Sequence, residues 1–261
     1  MSNAVQRAYF SESPLSKQSD YHDCHQIILI IEGELEFRVN GVSRIGRAGQ
    51  ALIFSCYENH SITALSTPYR RYVLHIDPHA HSAEGTVYSI LSNRPRGFSN
   101  AVDVSDAMED FEAVFARAVS EYDAPGKLTE DMQKLLVSQL LIMLWRRLPS
   151  PPPFDSAIAG IQKRFEENFS EAYSLESLAK ELCISPSSLS HRFKKLTGRS
   201  VMDYLLSCRI AAAKKYLTET GMDIGEIVEK CGFSDSSNFS RTFKKLNGIS
   251  PSEFRKKYTP E

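Results

Sequence analysis

Ser190-His-Arg-Phe-Lys-Lys-Leu-Thr-Gly-Arg-Ser200 returns fifty residues later as Ser240-Arg-Thr-Phe-Lys-Lys-Leu-Asn-Gly-Ile-Ser250, with seven of eleven positions identical. A repeat at fixed displacement means that one supersecondary unit has been used twice, and this constrains the fold more than any single motif. Upstream the match continues more loosely at a displacement of 49: Leu175, Leu178, Leu182 and Ile184 correspond to Ile224, Ile227, Cys231 and Phe233. One residue is therefore inserted where the second helix of the second copy begins.

Each copy reads as helix, tight turn, helix, over about 174–198 and about 223–248. In the first, Ser174 caps a helix through Leu182. Ser185 caps the next, with Pro186 at its first position, where a missing N–H costs nothing. Gly198 closes that helix in a left-handed conformation. In the second copy Asp223 and Glu226 form a capping box, Gly232 supplies the turn, Ser234 or Asp235 caps, and Gly248 closes. Cys183 stands where the second copy has Gly232, so the first turn is the less typical of the two.

Between the copies, about 200–220 reads as a helix with Tyr204, Leu205, Ile210, Ala211 and Leu217 apolar, stopped by Gly221. Twenty helical residues span ~30 Å, close to the ~34 Å of one turn of B-DNA. A rigid spacer of that length places two reading helices in successive major grooves, which is the physical reason for reading double-stranded DNA as the partner. Leu189, Phe193 and Leu196 form the inward side of the first reading helix, and Phe239, Phe243 and Leu246 that of the second. The outward sides carry Ser187, Ser188, Ser190 and His191 in one copy and Ser236, Ser237, Ser240 and Arg241 in the other, as candidates for base contacts. Arg241 has the fork that matches guanine O6 and N7. Arg192, Lys194, Lys195, Lys244 and Lys245 are candidates for phosphate contacts, which position without specifying. A single lysine pair is ordinarily a solvated helix face; two pairs in register with two serine-rich faces point to nucleic acid.

Outward from the repeat, Pro149-Ser150-Pro151-Pro152-Pro153 denies donors to any helix or central strand and marks a stiff linker, taken as 149–156. Residues 1–154 carry a balance of -4 and residues 155–261 a balance of +3, within a total of -1. The split suggests a division of labour between a domain over 1–148 and one over 157–261. In the first, about 20–80 shows strand signals: the apolar run from Gln26 to Ile31, the alternation of Leu35, Phe37 and Val39, the hairpin pair Asn40-Gly41, and further runs over 50–54, 61–65 and 69–76. A small antiparallel barrel or sandwich follows. From about 105 to 148 the period turns helical. Met108, Phe111, Phe115, Val119 and Tyr122 share one face, and a second helix carries Leu135, Leu136, Leu140, Met143 and Leu144 on more than one stripe. The segment from Met132 to Trp145 therefore covers the barrel, forms a homodimer interface, or does both. The fold class is α+β in two domains.

Five cysteines, an odd number without a C-x-x-C pair, argue against both a disulfide framework and a zinc ribbon. Neither a signal peptide nor an apolar run long enough for a bilayer stands out, so a cytoplasmic chain without membrane contact is expected. No catalytic constellation emerges, and the chain reads as a regulator rather than an enzyme.

Three stretches, Ser185-Pro-Ser-Ser-Leu-Ser-His-Arg-Phe-Lys-Lys, Cys231-Gly-Phe-Ser-Asp-Ser-Ser-Asn-Phe-Ser-Arg-Thr-Phe-Lys-Lys and Gly248-Ile-Ser-Pro-Ser-Glu-Phe-Arg255, resemble the AraC/XylS family of bacterial transcription regulators, over about 157–258. The resemblance implies a seven-helix DNA-binding domain with 157–170 as its leading helix, and base-contacting roles for Ser187, Ser190, His191, Ser236, Ser237, Ser240 and Arg241. More weakly, His22, Gly33, the Gly46–Gly49 turn and His60 resemble the family's cupin-like sensor barrels. That likeness implies a small-molecule effector, with His22 and His60 as lining candidates, a homodimer, RNA polymerase as a partner, and an activator that needs no cofactor. Cupin enzymes hold a metal through His-x-His, a following Glu and a later His. Here the stretch reads Asp20-Tyr21-His22, then Gln26, then His60, with His25 at the wrong spacing, and no metal is expected. His75, His79 and His81 read as surface loop residues. Two other readings compete: a barrel that only dimerises or binds a protein, and a cupin metalloenzyme with an appended DNA-binding module.

Overall fold

The computed structural model describes residues 4–13, 24–39, 41–56, 58, 60–78, 86–95, 97–151 and 153–258. The chain divides into two compact units, Met1–Phe154 and Asp155–Glu261.

Among the described residues the first unit carries eight strands: β1 (Val5–Ser11), β2 (His25–Glu32), β3 (Glu34–Val39), β4 (Val42–Arg47), β5 (Gln50–Phe54), β6 (His60–Ala64), β7 (Arg70–Ile76) and β8 (Ala101–Asp103). They form a five-stranded sheet in the order β1-β7-β2-β5-β8 and a three-stranded sheet in the order β4-β3-β6. Val39 pairs with Val42 across a two-residue turn in which Gly41 has φ +85°, the left-handed value expected of the hairpin; its neighbour Asn40 lies outside the described residues. Two strands lie beyond the 20–80 stretch expected for the barrel. β1 pairs with β7, and β8 pairs with β5 from the far side of the helical connection.

Strand β2 explains the layering. Successive side chains alternate between faces, and both faces of β2 are apolar. Ile28 and Ile30 join Leu35, Phe37, Leu52, Phe54 and Val73 between the sheets. Ile27 and Leu29 point the other way, into a second core with Ile53, Leu74, Phe111, Phe115, Leu140 and Leu144. That run reads as continuous because the strand is buried on both sides. The outer core is roofed by α2 (Met108–Asp123) and α3 (Thr129–Arg147), reached through the short α1 (Ser89–Ser92). In α3, Gln133, Leu136, Val137, Leu140, Leu141 and Leu144 are buried. Leu135 is 66% exposed and Ile142 39%. The helix thus covers the barrel and leaves a second apolar stripe outside.

A buried ion pair closes one end of this unit. Arg94 donates to Glu58 through Nε at 2.7 Å and Nη2 at 2.8 Å. Glu58 also accepts from the Ser55 amide at 2.8 Å. Asn100 donates to the Ile53 carbonyl at 2.8 Å, which fixes the approach to β8.

The second unit is helical: α4 (Ser156–Glu167), α5 (Leu175–Glu181), α6 (Pro186–Thr197), α7 (Val201–Glu219), α8 (Ile224–Lys230), α9 (Ser236–Asn247) and α10 (Pro251–Tyr258). Helix α4 starts at Ser156, within the stretch expected as linker, because the Asp155 carboxylate accepts from the Ala157 and Ile158 amides at 3.1 and 3.2 Å. No helix among the described residues is long and apolar enough to cross a membrane.

Removing one partner of a buried ion pair leaves the other charge uncompensated, at a cost of about 3–5 kcal/mol. Arg94→Met is therefore expected to lower the stability of the first unit by about 3 kcal/mol in urea unfolding of the full chain. The double variant Glu58→Gln/Arg94→Met should recover part of the loss. Wild-type stability for Arg94→Met would show that the pair is dispensable.

Candidate functional site

The two helix-turn-helix units are built by the same local devices. Ser174 accepts from the Ser177 amide at 3.1 Å, and Asp223 accepts from the Glu226 amide at 2.8 Å while Glu226 returns the bond; both are capping boxes. Ser185 caps α6 through the Ser188 amide at 3.1 Å. Of the two candidate caps for α9, Asp235 takes the role, accepting from the Asn238 amide at 2.6 Å. Gly198 (φ +76°) and Gly248 (φ +78°) close both reading helices in the left-handed region.

The turns themselves are equivalent, although one lacks glycine. Cys183 has φ +55° and Gly232 has φ +73°. In the first turn the Cys183 and Ile184 amides donate to Lys180 and Ala179 carbonyls, both at 3.0 Å. In the second the Gly232 and Phe233 amides donate to Glu229 and Val228 carbonyls at 2.9 and 3.0 Å. The glycine is required for a further reason in the second copy: a Cβ there would lie 2.4 Å from the Ser170 carbonyl oxygen.

Burial of one side of each reading helix decides what the other presents. Leu189, Phe193, Leu196 and Thr197 are buried on α6, and Phe239, Phe243 and Asn247 on α9. Leu246, expected to pack inward, is only half-buried. Ser187, His191, Lys194 and Lys195 are exposed on α6, with Ser188 and Ser190 half-buried. On α9, Ser236, Ser237, Arg241, Lys244 and Lys245 are exposed and Ser240 is half-buried. The twelve residues of each helix thus present small hydroxyls near the N-terminus and two lysines near the C-terminus. Arg192 has a partner within the unit: its Nη2 donates to Asp155 at 2.6 Å. Partial burial opposes ionisation of Asp155, but the Arg192 bond and charge, with the two capping amides, outweigh it and hold the carboxyl below its usual range. A carboxylate at the start of α4 thereby neutralises one of the five cations expected to meet phosphate.

Sequence reading missed the contacts that tie each reading helix to the helix after it. Phe193 meets Tyr204 edge-on at 5.6 Å, and Phe243 meets Phe254 edge-on at 5.4 Å. The pairs are again fifty residues apart. Their signal was present in Ser200-Val-Met-Asp-Tyr204 and Ser250-Pro-Ser-Glu-Phe254, which extend the repeat past its apparent end. Two arginines hold the approaches to the units. Arg209 donates to the Phe169 and Glu171 carbonyls, both at 2.9 Å, and Arg255 to the Leu217 and Met222 carbonyls at 3.2 and 2.5 Å. Burial pushes the Cys231 thiol up to about 12 against the pull of Arg209, so this cysteine is an inert core residue.

In the first unit His60 is buried and stacks on Phe54 at 4.4 Å, at one end of the space between the sheets. His22 lies outside the described residues, as do Asp20, Tyr21, His79 and His81. His75 corrects the expectation of a loop residue. It lies within β7, is buried, and its Nε2 is 3.1 Å from Gln26 Nε2. Parity explains the error: His75 follows Arg71 and Val73 on the inner face of a strand that extends to Ile76. Burial, with the charges of Arg7 and His60, pushes its imidazole down to about 4, so the ring is neutral at pH 7. Among the described residues no group of three metal-ligating side chains comes together.

A family model described as a helix-turn-helix domain matches residues 178–257, and one described as an AraC-like ligand binding domain matches residues 15–144. Two relatives align along nearly the whole chain. The arabinose operon regulatory protein of Salmonella typhimurium is 29% identical over 253 residues, 95% of this chain and 87% of that protein. The transcriptional activator RhaS of Salmonella schwarzengrund is 24% identical over 242 residues, 90% of this chain and 86% of its own. ToxT from Vibrio cholerae O395 shares the fold over 99% of both chains, with a TM-score of 0.66 at 17% identity. A cupin-like barrel joined to a duplicated helix-turn-helix unit defines a DNA-binding transcription regulator. The chain belongs to the AraC family.

A non-glycine residue in the left-handed region costs about 1–2 kcal/mol, and glycine returns part of that through its freedom in the unfolded chain. Cys183→Gly is expected to leave the stability of the full chain unchanged or raise it by up to about 1 kcal/mol. Gly232→Ala, strained in φ and in collision with Ser170, should cost at least about 2 kcal/mol. Equal effects of the two substitutions in urea unfolding would contradict the distinction between the turns.

Proposed function

We propose that the chain is a sequence-specific transcription activator that lays α6 and α9 into successive major grooves. The observation that carries this reading is the matched pair of outward faces on two helices of equal length, each with its apolar side buried. Ser187, Ser188, Ser190 and His191 read bases in one half-site, and Ser236, Ser237, Ser240 and Arg241 in the other. Lys194, Lys195, Lys244 and Lys245 hold phosphates, and Arg192 does so when it leaves Asp155. The nineteen residues of α7 span about 28 Å, near one turn of the duplex. Residues 157–261 are the DNA-binding domain, 149–156 the linker and 1–148 the sensor domain of a cytoplasmic regulator.

The sensor reading is supported by the match to a ligand-binding family model. Homodimerisation through α3 is supported by Leu135 and Ile142, which are exposed and seven residues apart on the helix, the spacing of a helix–helix seam, with exposed Leu128 at the residue before it. Recruitment of RNA polymerase follows from the activator reading, in line with RhaS being a transcriptional activator. An effector acts only if it binds two states of the molecule with different affinity.

The test begins with selection of a preferred site from random duplexes. Arg241→Ala should then lose about 1–3 kcal/mol on that site and relax one base preference. Lys244→Ala should weaken binding to preferred and random DNA alike, with a shallower dependence on salt. Equal losses on both kinds of DNA for Arg241→Ala would remove its reading role.

A further inference from the structure

The barrel contains a buried cation that the described residues do not balance. Arg71 lies on β7 opposite Ser11 of β1 and Ile30 of β2. It shares the parity of Val73, which with Ile30 belongs to the apolar set between the sheets, so Arg71 is on the inner face. It is 3% exposed. Its Nη1 donates to the Ser13 carbonyl at 2.8 Å, and the guanidinium lies over the Tyr69 ring at 4.7 Å. Its buried Nε meets no acceptor, and no carboxylate among the described residues is paired with it. The contrast with Arg70 is instructive. That neighbour is far more exposed and yet faces Glu12 and Glu32, each at 3.3 Å.

Tyr69 repeats the pattern beside it. The residue is 1% exposed, and its hydroxyl is buried without a partner. Burial pushes the hydroxyl above its usual range, with Arg71 pulling the other way and Tyr9 adding to the rise. A guanidinium stays protonated in any protein environment. A buried charge without a counter-charge is destabilising. Among the described residues, Arg71 and Tyr69 thus offer a buried charge and a buried hydroxyl that an anionic ligand would complete.

We propose that the interior between the two sheets takes a small carboxylate carried on an apolar skeleton, with Arg71 as its counter-ion and the Tyr69 hydroxyl as a second polar contact. Nη1 is committed to Ser13, so the Nε edge faces the ligand. A carboxylate suits that edge because its two oxygens match the planar fork of an arginine, which a lysine does not offer. Ile28, Ile30, Phe37 and Val73 supply the apolar wall. Such a wall accepts an alkyl or aryl chain. The inference rests on the effector-binding reading of this domain and narrows it to a ligand class.

The test is thermal unfolding of the full-length chain at constant ionic strength, with straight-chain acids from acetate to octanoate, benzoate and phenylacetate, each beside its neutral amide. At least one acid should raise Tm by ~3 °C or more near saturation, while its amide moves it by less than ~1 °C. Arg71→Met should abolish that rise and unfold at or above the wild-type Tm without ligand, because it removes an uncompensated charge. Arg71→Lys should need at least ~10-fold more acid for the same rise. Several outcomes overturn the proposal: no acid acts; Arg71→Met responds like wild type; or Arg71→Met alone loses several degrees, which makes Arg71 a structural brace. Equal shifts by acids and amides also overturn it, while leaving a neutral effector in place. The effector reading fails separately if an acid or amide that binds leaves DNA affinity unchanged.

Discussion

Each reading helix can present a polar face only because an aromatic ring holds its other side down. Phe193 against Tyr204, and Phe243 against Phe254, join a reading helix to the helix that follows it. Edge-on aromatic pairs are worth about 0.5–1.5 kcal/mol beyond the area they bury, and fully burying each phenylalanine adds about 1.5–3 kcal/mol. These contacts outweigh any single cap or turn in the domain. They also fix rotation about the helix axis. With Phe193 inward, His191 and Lys195 cannot be; with Phe243 inward, Arg241 and Lys245 cannot be. The chemistry offered to a nucleic acid is thus a consequence of packing, written twice.

The first unit depends on a comparable economy in β2. A strand apolar on both faces supports the space between the sheets and the helical roof at once. The same parity places Gln26, Arg71 and His75 on the inner face, where polar groups are held at the two ends of an apolar interior. Glu58 and Arg94 close one end with a pair that satisfies itself. Among the described residues Arg71 departs from that internal balance, and on the proposed reading this departure gives the interior its chemical preference.

Much of the second unit was legible from sequence because its devices are local. Ser174, Ser185, Asp223, Gly198 and Gly248 act within four residues of themselves, and spacing alone reveals them. The tertiary parts were not legible. Arg192 is 37 residues from Asp155, so its neutralisation has no short-range signature. The left-handed turn at Cys183 was readable only by analogy with Gly232, since cysteine carries no preference for it. Val5–Ser11 and Ala101–Asp103 are not legible as strands locally because each is completed by a distant partner, β7 in one case and β5 in the other. His75 reads as a loop residue from its neighbours in sequence, whereas in the fold it sits opposite Gln26 across the ladder.

The central claim is that two equivalent helices, held by equivalent contacts, engage one duplex together. Hydroxyl-radical footprinting of the full-length chain on a selected site measures this directly. Two protected segments on one face of the duplex, their centres about 10–10.5 base pairs apart for each bound DNA-binding domain, are the predicted result. A single protected segment of about half that extent, unchanged when the α9 face is altered, would contradict the account.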